Sequence, residues 1–149
     1  MTLNYPLTWP HPDSNQKAEE EMQIHCKQCG TLLTQPLNPI PPDIELSEAD
    51  GTDYVPLGYA VFEDGSFWTQ HRGCWCVNKK DVRNLAVTKR AERLNGCCDL
   101  DGCDGPNLVC AQCQSEVATA KWDCWIPHAV LFESDRIILS TENTQPDNE

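Results

Sequence analysis

Cys26-Lys27-Gln28-Cys29-Gly30 and Cys110-Ala111-Gln112-Cys113 are the two stretches whose reading decides the fold. Each follows a short apolar lead-in, Ile24-His25 in one case and Leu108-Val109 in the other. Each precedes a segment able to return as a strand, Thr31-Leu32-Leu33 and Glu116 to Ala120. Two residues between cysteines let both sulfurs reach one tetrahedral Zn²⁺ at ~2.3 Å, while N–H groups of the turn bond back to sulfur. Gly30 suits the tight exit of the first knuckle. One such element is a moderate signal; two in one chain, with further cysteines to complete a coordination sphere, point strongly to zinc.

The need for such a staple follows from the composition. The chain has 149 residues, with 40% hydrophobic and only 7% aromatic residues, 11 Pro, 8 Gly and 10 Cys. A core this thin in a loop-rich chain calls for covalent or metal cross-links. The first twenty residues carry neither a basic leader nor an apolar run, and no stretch is long and apolar enough for a membrane span. A reducing cytoplasmic setting is therefore expected, in which clustered cysteines bind metal rather than form disulfides.

The remaining cysteines are Cys74 and Cys76 in GCWC, Cys97 and Cys98 in GCC, Cys103, and Cys124 in DCW. Two groupings of ligands are open. In the local one, Cys110 and Cys113 combine with Cys98 (Cys97 being the alternative) and Cys124, and the first knuckle takes Cys74 and Cys76. In the other, Cys26, Cys29, Cys110 and Cys113 form one interrupted ribbon. Stretching a closure from ~11 to ~80 residues costs only about 1.8 kcal/mol. Structural zinc supplies roughly 10–16 kcal/mol, and the local arrangement is preferred on the small entropic margin. One or two Zn²⁺ ions are expected. Neighbouring Cys97 and Cys98 are hard to bring to one metal, so one of them is expected to be a bystander. Cys103 reads as a plain thiol. His25, His71 and His128 read as hydrogen-bonded structure rather than ligands.

The segment from Gly96 to Phe132, with its GCC, DGPN, CAQC and DCW elements, resembles a Cys-rich segment of bacterial proteins of unassigned function. The resemblance covers about a quarter of the chain, a share set by the segment's own length. It implies a metal-binding module and a bacterial source, and implies no activity. The knuckles are similar to those of zinc-ribbon proteins in local geometry.

Around these elements, residues 1–14 read as a mobile Pro-rich arm and 141–149 as a disordered tail. Residues 15–140 read as a single domain that contains an acidic, Pro-rich surface loop at 36–56. Ser14 is placed to cap a short helix through KAEEEMQ. Residues 57–69 (LGYAVFEDGSFWT) read as a hairpin turning at Asp64-Gly65. Residues 79–95 read as a helix ending at Gly96. NLVC, EVATA and AVLFESDRIIL read as strands. The expected class is a small, β-rich, irregular α+β fold stabilised by zinc.

Enzyme motifs are missing at the level of spacing. There is no HExxH, no HxE paired with PCxxC, no GxxxxGK[ST], no GxSxG and no GxGxxG. Closed Cys₄ sites leave no coordination position for a substrate. Net charge is -12, distributed as -9 over residues 1–68, +5 over 69–96 and -8 over 97–149. That field disfavours nucleic acid and leaves the basic island to be neutralised by its flanks. The reading that fits is a structural-zinc protein acting as a binding module for another protein. Trp9, Trp68, Trp75, Trp122 and Trp125 supply candidate anchors, and Trp68 and Trp75 are expected in the core. The other readings are a thiol–zinc redox sensor, a small RNA-binding zinc ribbon, and an acidic inhibitor of a basic toxin.

Overall fold

The computed structural model of the chain describes residues 21–141. Nine strands form: β1 (Met22–Cys26), β2 (Asn38–Pro39), β3 (Tyr59–Phe62), β4 (Trp75–Val77), β5 (Leu85–Val87), β6 (Leu108–Cys110), β7 (Glu116–Lys121), β8 (Ala129–Phe132) and β9 (Ile137–Thr141). Seven make one sheet in the order β2-β3-β4-β8-β7-β6-β5, and β1 pairs with β9 as a separate antiparallel ribbon. Only the short β2–β3 contact in the sheet is parallel.

Period-two alternation explains how the sheet divides its two faces. Trp75, Phe132 and Ala118 stand in one row across β4, β8 and β7, and Val77, Val130 and Ala120 in another. Both rows face a core shared with Met22, Ile24 and Cys26, the alternate buried residues of β1, and with Leu33 and Leu37. The ribbon is thus a lid on one face of the sheet. The intervening row of Cys76, Leu131 and Thr119 faces the other way. There Cys76, Leu131 and Ala129 pack with Tyr54, Val55, Trp68 and Cys74 in a second core.

The small, β-rich character agrees with the sequence reading, but the helical share of an α+β fold does not. Among the described residues, helix is limited to three-residue 3₁₀ turns. The expected helix at 79–95 is instead a turn at Lys79–Asp81, strand β5, and a turn at Ala91–Arg93. Asn84 sits at φ 57°, a conformation that stops a right-handed helix. Leu85, Ala86 and Val87 then pair with Cys110, Val109 and Leu108 of β6. Tertiary pairing outweighs a weak helical pattern. Most of the helix expected in KAEEEMQ lies outside the described residues, and its last two residues, Met22 and Gln23, belong to β1. The arm at 1–14 and nearly all of the tail at 141–149 also lie outside them.

The expected hairpin keeps its first strand and changes its second. Val61 and Phe62 pair with Cys76 and Trp75, not with Phe67 and Trp68. The cause is Glu63, which is buried at 2% exposure. Its carboxylate accepts the N–H groups of Gly65, Phe67 and Trp68 at 2.9, 3.1 and 3.2 Å. These bonds curl the chain over its own carboxylate. They set Phe67 and Trp68 against Tyr54, with ring centroids 5.0 and 4.6 Å away.

The Pro-rich segment at 36–56 carries only the two-residue strand β2, and it is more than a solvated surface connection. Gly51 N–H donates to Ile126 O, Tyr54 N–H to His128 O, and His128 N–H to Thr52 O. Tyr54 and Val55 are buried beside this stitching, and Leu37 is buried where it pairs with Met22 of β1. The loop is thereby tied to the connection between β7 and β8. Among the described residues, no helix is long and apolar enough to cross a membrane.

Candidate metal centre

The two knuckles have the same backbone. Cys26 N–H donates to Thr31 O and Gly30 N–H to Cys26 O, both at 2.8 Å. Cys110 N–H donates to Ser115 O at 2.9 Å and Gln114 N–H to Cys110 O at 2.8 Å. The fourth residue after the first cysteine has positive φ in each: Gly30 at 80° and Gln114 at 68°. Glycine takes that conformation without cost, whereas Gln114 must be held in it by the turn.

These turns meet. Cys26 Sγ lies 3.6 Å from Cys113 Sγ, and Cys29 Sγ lies 3.6 Å from Cys110 Sγ. All four sulfurs lie within 4.8 Å of one another. A tetrahedral zinc with bonds of ~2.3 Å separates its sulfurs by about 3.8 Å, so this donor set fits one such ion. The ten cysteines are all free of disulfides. Cys26 and Cys110 are fully buried and Cys113 partly so, with Cys29 on the solvent side. Thr31, through its hydroxyl and its backbone, stabilises the Cys29 thiolate and brings that thiol down to about 6. For Cys113 the Ser115 N–H favours ionisation, yet burial and the neighbouring sulfurs outweigh it and push the thiol up to about 12. All four could be ionised together only with a cation between them.

The local grouping expected from sequence is therefore corrected in favour of the interrupted ribbon. Cys76 lies on the sheet face opposite the core that contains Cys26 and Cys110. Cys74 packs on that opposite side too. A loop-entropy margin near 2 kcal/mol is too small to overrule strand register that sorts cysteines onto two faces.

Cys97, Cys98 and Cys124 form a second group, again with sulfurs within 4.8 Å of one another. Cys98 Sγ is 2.8 Å from Cys124 Sγ and 3.9 Å from Cys97 Sγ. All three are exposed. The structure brings the sulfurs of both adjacent cysteines near Cys124, where one of the two is expected to be a bystander. Asp123 is the reason, and sequence reasoning missed it. Its fully buried carboxylate accepts N–H from Cys97 at 2.6 Å, Cys98 at 2.8 Å, Cys124 at 2.8 Å and Asp99 at 3.3 Å. It also accepts the indole N–H of Trp125 at 2.9 Å. Burial opposes its ionisation, but these backbone donors prevail and hold it well below the usual carboxylate range. A β-carbon on Gly96 would sit 1.7 Å from Asp99 O, so only glycine lets the loop close this tightly. Proximity of Cys98 pushes the Cys124 thiol up to about 12 and raises Cys97 as well.

A third group, His71, Cys74 and Glu133, also lies within 4.8 Å. Burial dominates there, pushing Cys74 up to about 12, His71 down to about 4 and the Glu133 carboxyl upward. Each shift favours the neutral form, so Cys74 is not an activated nucleophile. His25 bonds Ser140 Oγ at 3.0 Å, and His128 links Lys79 Nζ at 2.8 Å to Asp123 O at 3.0 Å. Both are structural. Cys103 belongs to none of the three groups, and its thiol donates to Asp101 O.

In the basic island, Arg90 and Arg93 both pair with Glu116, at 2.9 and 3.4 Å, and Arg83 bonds Gln35 Oε1. Trp68 and Trp75 are buried and Trp125 is 51% exposed, while Trp9 lies outside the described residues. Comparisons with family models, curated proteins and solved structures gave no match, so the site's chemistry rests on its own geometry.

Proposed function

We propose that the protein is a zinc-stabilised module that binds another protein, with one Zn²⁺ held by Cys26, Cys29, Cys110 and Cys113. The observation that carries the metal assignment is the meeting of two alike knuckles, 81 and 87 residues apart by their sulfur contacts, at 3.6 Å. Zinc with four thiolates supplies fold energy rather than reactivity. It fastens the β1–β9 ribbon to β6 and β7.

The interaction role is supported by Trp125. Its ring is half exposed, and its indole N–H is tied to the buried Asp123 carboxylate. An aromatic side chain ordered before binding gives up little conformational entropy and makes a strong anchor. The net charge of -12 favours a partner with a basic face. A pull-down with the full chain tests the reading. A partner retained by the wild type should be lost with Trp125→Ala while zinc content stays the same. Retention that ignores Trp125 replacement would contradict the interaction role.

A further inference from the structure

We infer that Cys97, Cys98 and Cys124 form a second, open metal site. It takes a thiophilic divalent cation of the zinc type on three thiolates, with a fourth position facing solvent. This goes beyond the closed four-cysteine centre and uses none of its residues.

The three sulfurs lie within 4.8 Å of one another, at spacings of 2.8 and 3.9 Å where they touch. The 3.9 Å spacing is that of a tetrahedral thiolate sphere, ~3.8 Å, and the 2.8 Å contact must open by about 1 Å as a metal enters. Four backbone N–H groups from the two cysteine-bearing loops converge on one buried carboxylate, that of Asp123. His128 fastens the same residue from its carbonyl side at 3.0 Å. The loops are therefore held together by contacts independent of any sulfur, and the thiols are presented rather than brought together by one another. Neighbouring cysteines usually diverge. Here both N–H groups point to Asp123, which leaves Cys97 and Cys98 directed to the side where Cys124 lies.

The exposure of these thiols distinguishes the two centres. In the closed site Cys26 and Cys110 have no accessible surface, whereas Cys97, Cys98 and Cys124 are all exposed. No fourth Cys, His, Asp or Glu joins the group among the described residues. Three thiolates with one open position make a labile site. On binding, each of the three S–H groups releases a proton to solvent as its metal–sulfur bond forms, and water occupies the fourth position. No electron is transferred.

The test uses Co²⁺ as the probe on the full-length, zinc-loaded protein, kept reduced with a phosphine and rinsed with a weak chelator. Titration should bind one further equivalent and give a thiolate-to-cobalt charge-transfer band. Imidazole should shift that band by entering the open position. Cys98→Ser and Cys124→Ser should each abolish the band, and Cys103→Ser should leave it unchanged. A readout on the unaltered chain covers the case of a misfolded variant. Co²⁺ should slow alkylation of Cys97, Cys98 and Cys124 by iodoacetamide at least tenfold, with Cys103 unprotected. Absence of the band, its survival in Cys98→Ser, or a Cys98–Cys124 disulfide forming in place of metal binding would overturn the proposal. The closed site is read separately, as the zinc equivalent that survives the chelator rinse.

Discussion

Cys26 and Cys113 place their sulfurs 3.6 Å apart across 87 residues of chain. One belongs to the ribbon that covers the sheet, the other to the turn between β6 and β7. The contact therefore adds a cross-link between two layers that also meet through side-chain packing and through the bond from Arg136 Nη1 to Glu116 O. A cation held there would act on the layer interface, and its removal should be felt first in the ribbon.

Removal of the metal with a strong chelator, followed by amide hydrogen exchange, checks this. Protection should fall first in β1, β9 and the two knuckles, and later in β3, β4 and β8. The second core around Tyr54 and Leu131 does not touch the closed site, which is why it should outlast the ribbon. Simultaneous loss of protection everywhere would mean the metal holds the whole fold rather than one interface.

Glu63→Ala should cost on the order of 3 kcal/mol, because three N–H groups around a buried carboxylate lose a charged acceptor. Glu63→Gln keeps one oxygen and should cost less. Denaturant titration at neutral pH measures both. Equal stability of Glu63→Ala and wild type would show that the loop's N–H groups find other partners.

Gly30→Ala should destabilise by about 1–2 kcal/mol through backbone conformation alone. Gly30 has φ 80°, and an added β-carbon would meet nothing within 4 Å, so no steric term enters. Thermal unfolding of the zinc-loaded variant reads the effect, with zinc content unchanged.

His71 is the residue to follow with pH. Burial, with a smaller contribution from Lys121, lowers it from its ordinary 6.5 to about 4. Below pH 6.5 the unfolded chain takes up a proton that the folded chain refuses. Wild type should therefore lose stability relative to His71→Gln as pH falls from about 6.5 to about 4, and the difference should be flat above pH 7. Comparison of the two proteins removes whatever acid lability the cysteine clusters give to both. A difference independent of pH would mean that His71 titrates normally in the fold.

Much of the architecture was legible, and the failures have physical reasons. The two knuckles were visible as CxxC elements because their ligands and exit turn are local in sequence. NLVC and EVATA read as strands because they are short apolar runs with the β-branched Val109, Val117 and Thr119. The hairpin and the helix were misread because both depend on one buried polar residue or one pairing partner. Glu63 looks like an ordinary turn carboxylate in FEDG, and nothing local shows that it will be buried. The pattern of Leu85, Ala86 and Val87 suits a helix until β6 is present to pair with it. The grouping of cysteines was unreadable for a related reason. Loop entropy separates the alternatives by little, and the decision is made by which sheet face Cys76 occupies. Asp123 carried no signal beyond standing next to Cys124.

Native mass spectrometry of the reduced, full-length protein and its cysteine variants tests the central claim most directly. One tightly held zinc should be present in wild type. Cys26→Ser and Cys110→Ser should each remove that same equivalent, and the double variant should lose nothing more. Cys74→Ser and Cys76→Ser should retain it. Loss of separate zinc equivalents from the two knuckle variants, or a wild-type protein without zinc whose knuckles close as disulfides, would contradict the account.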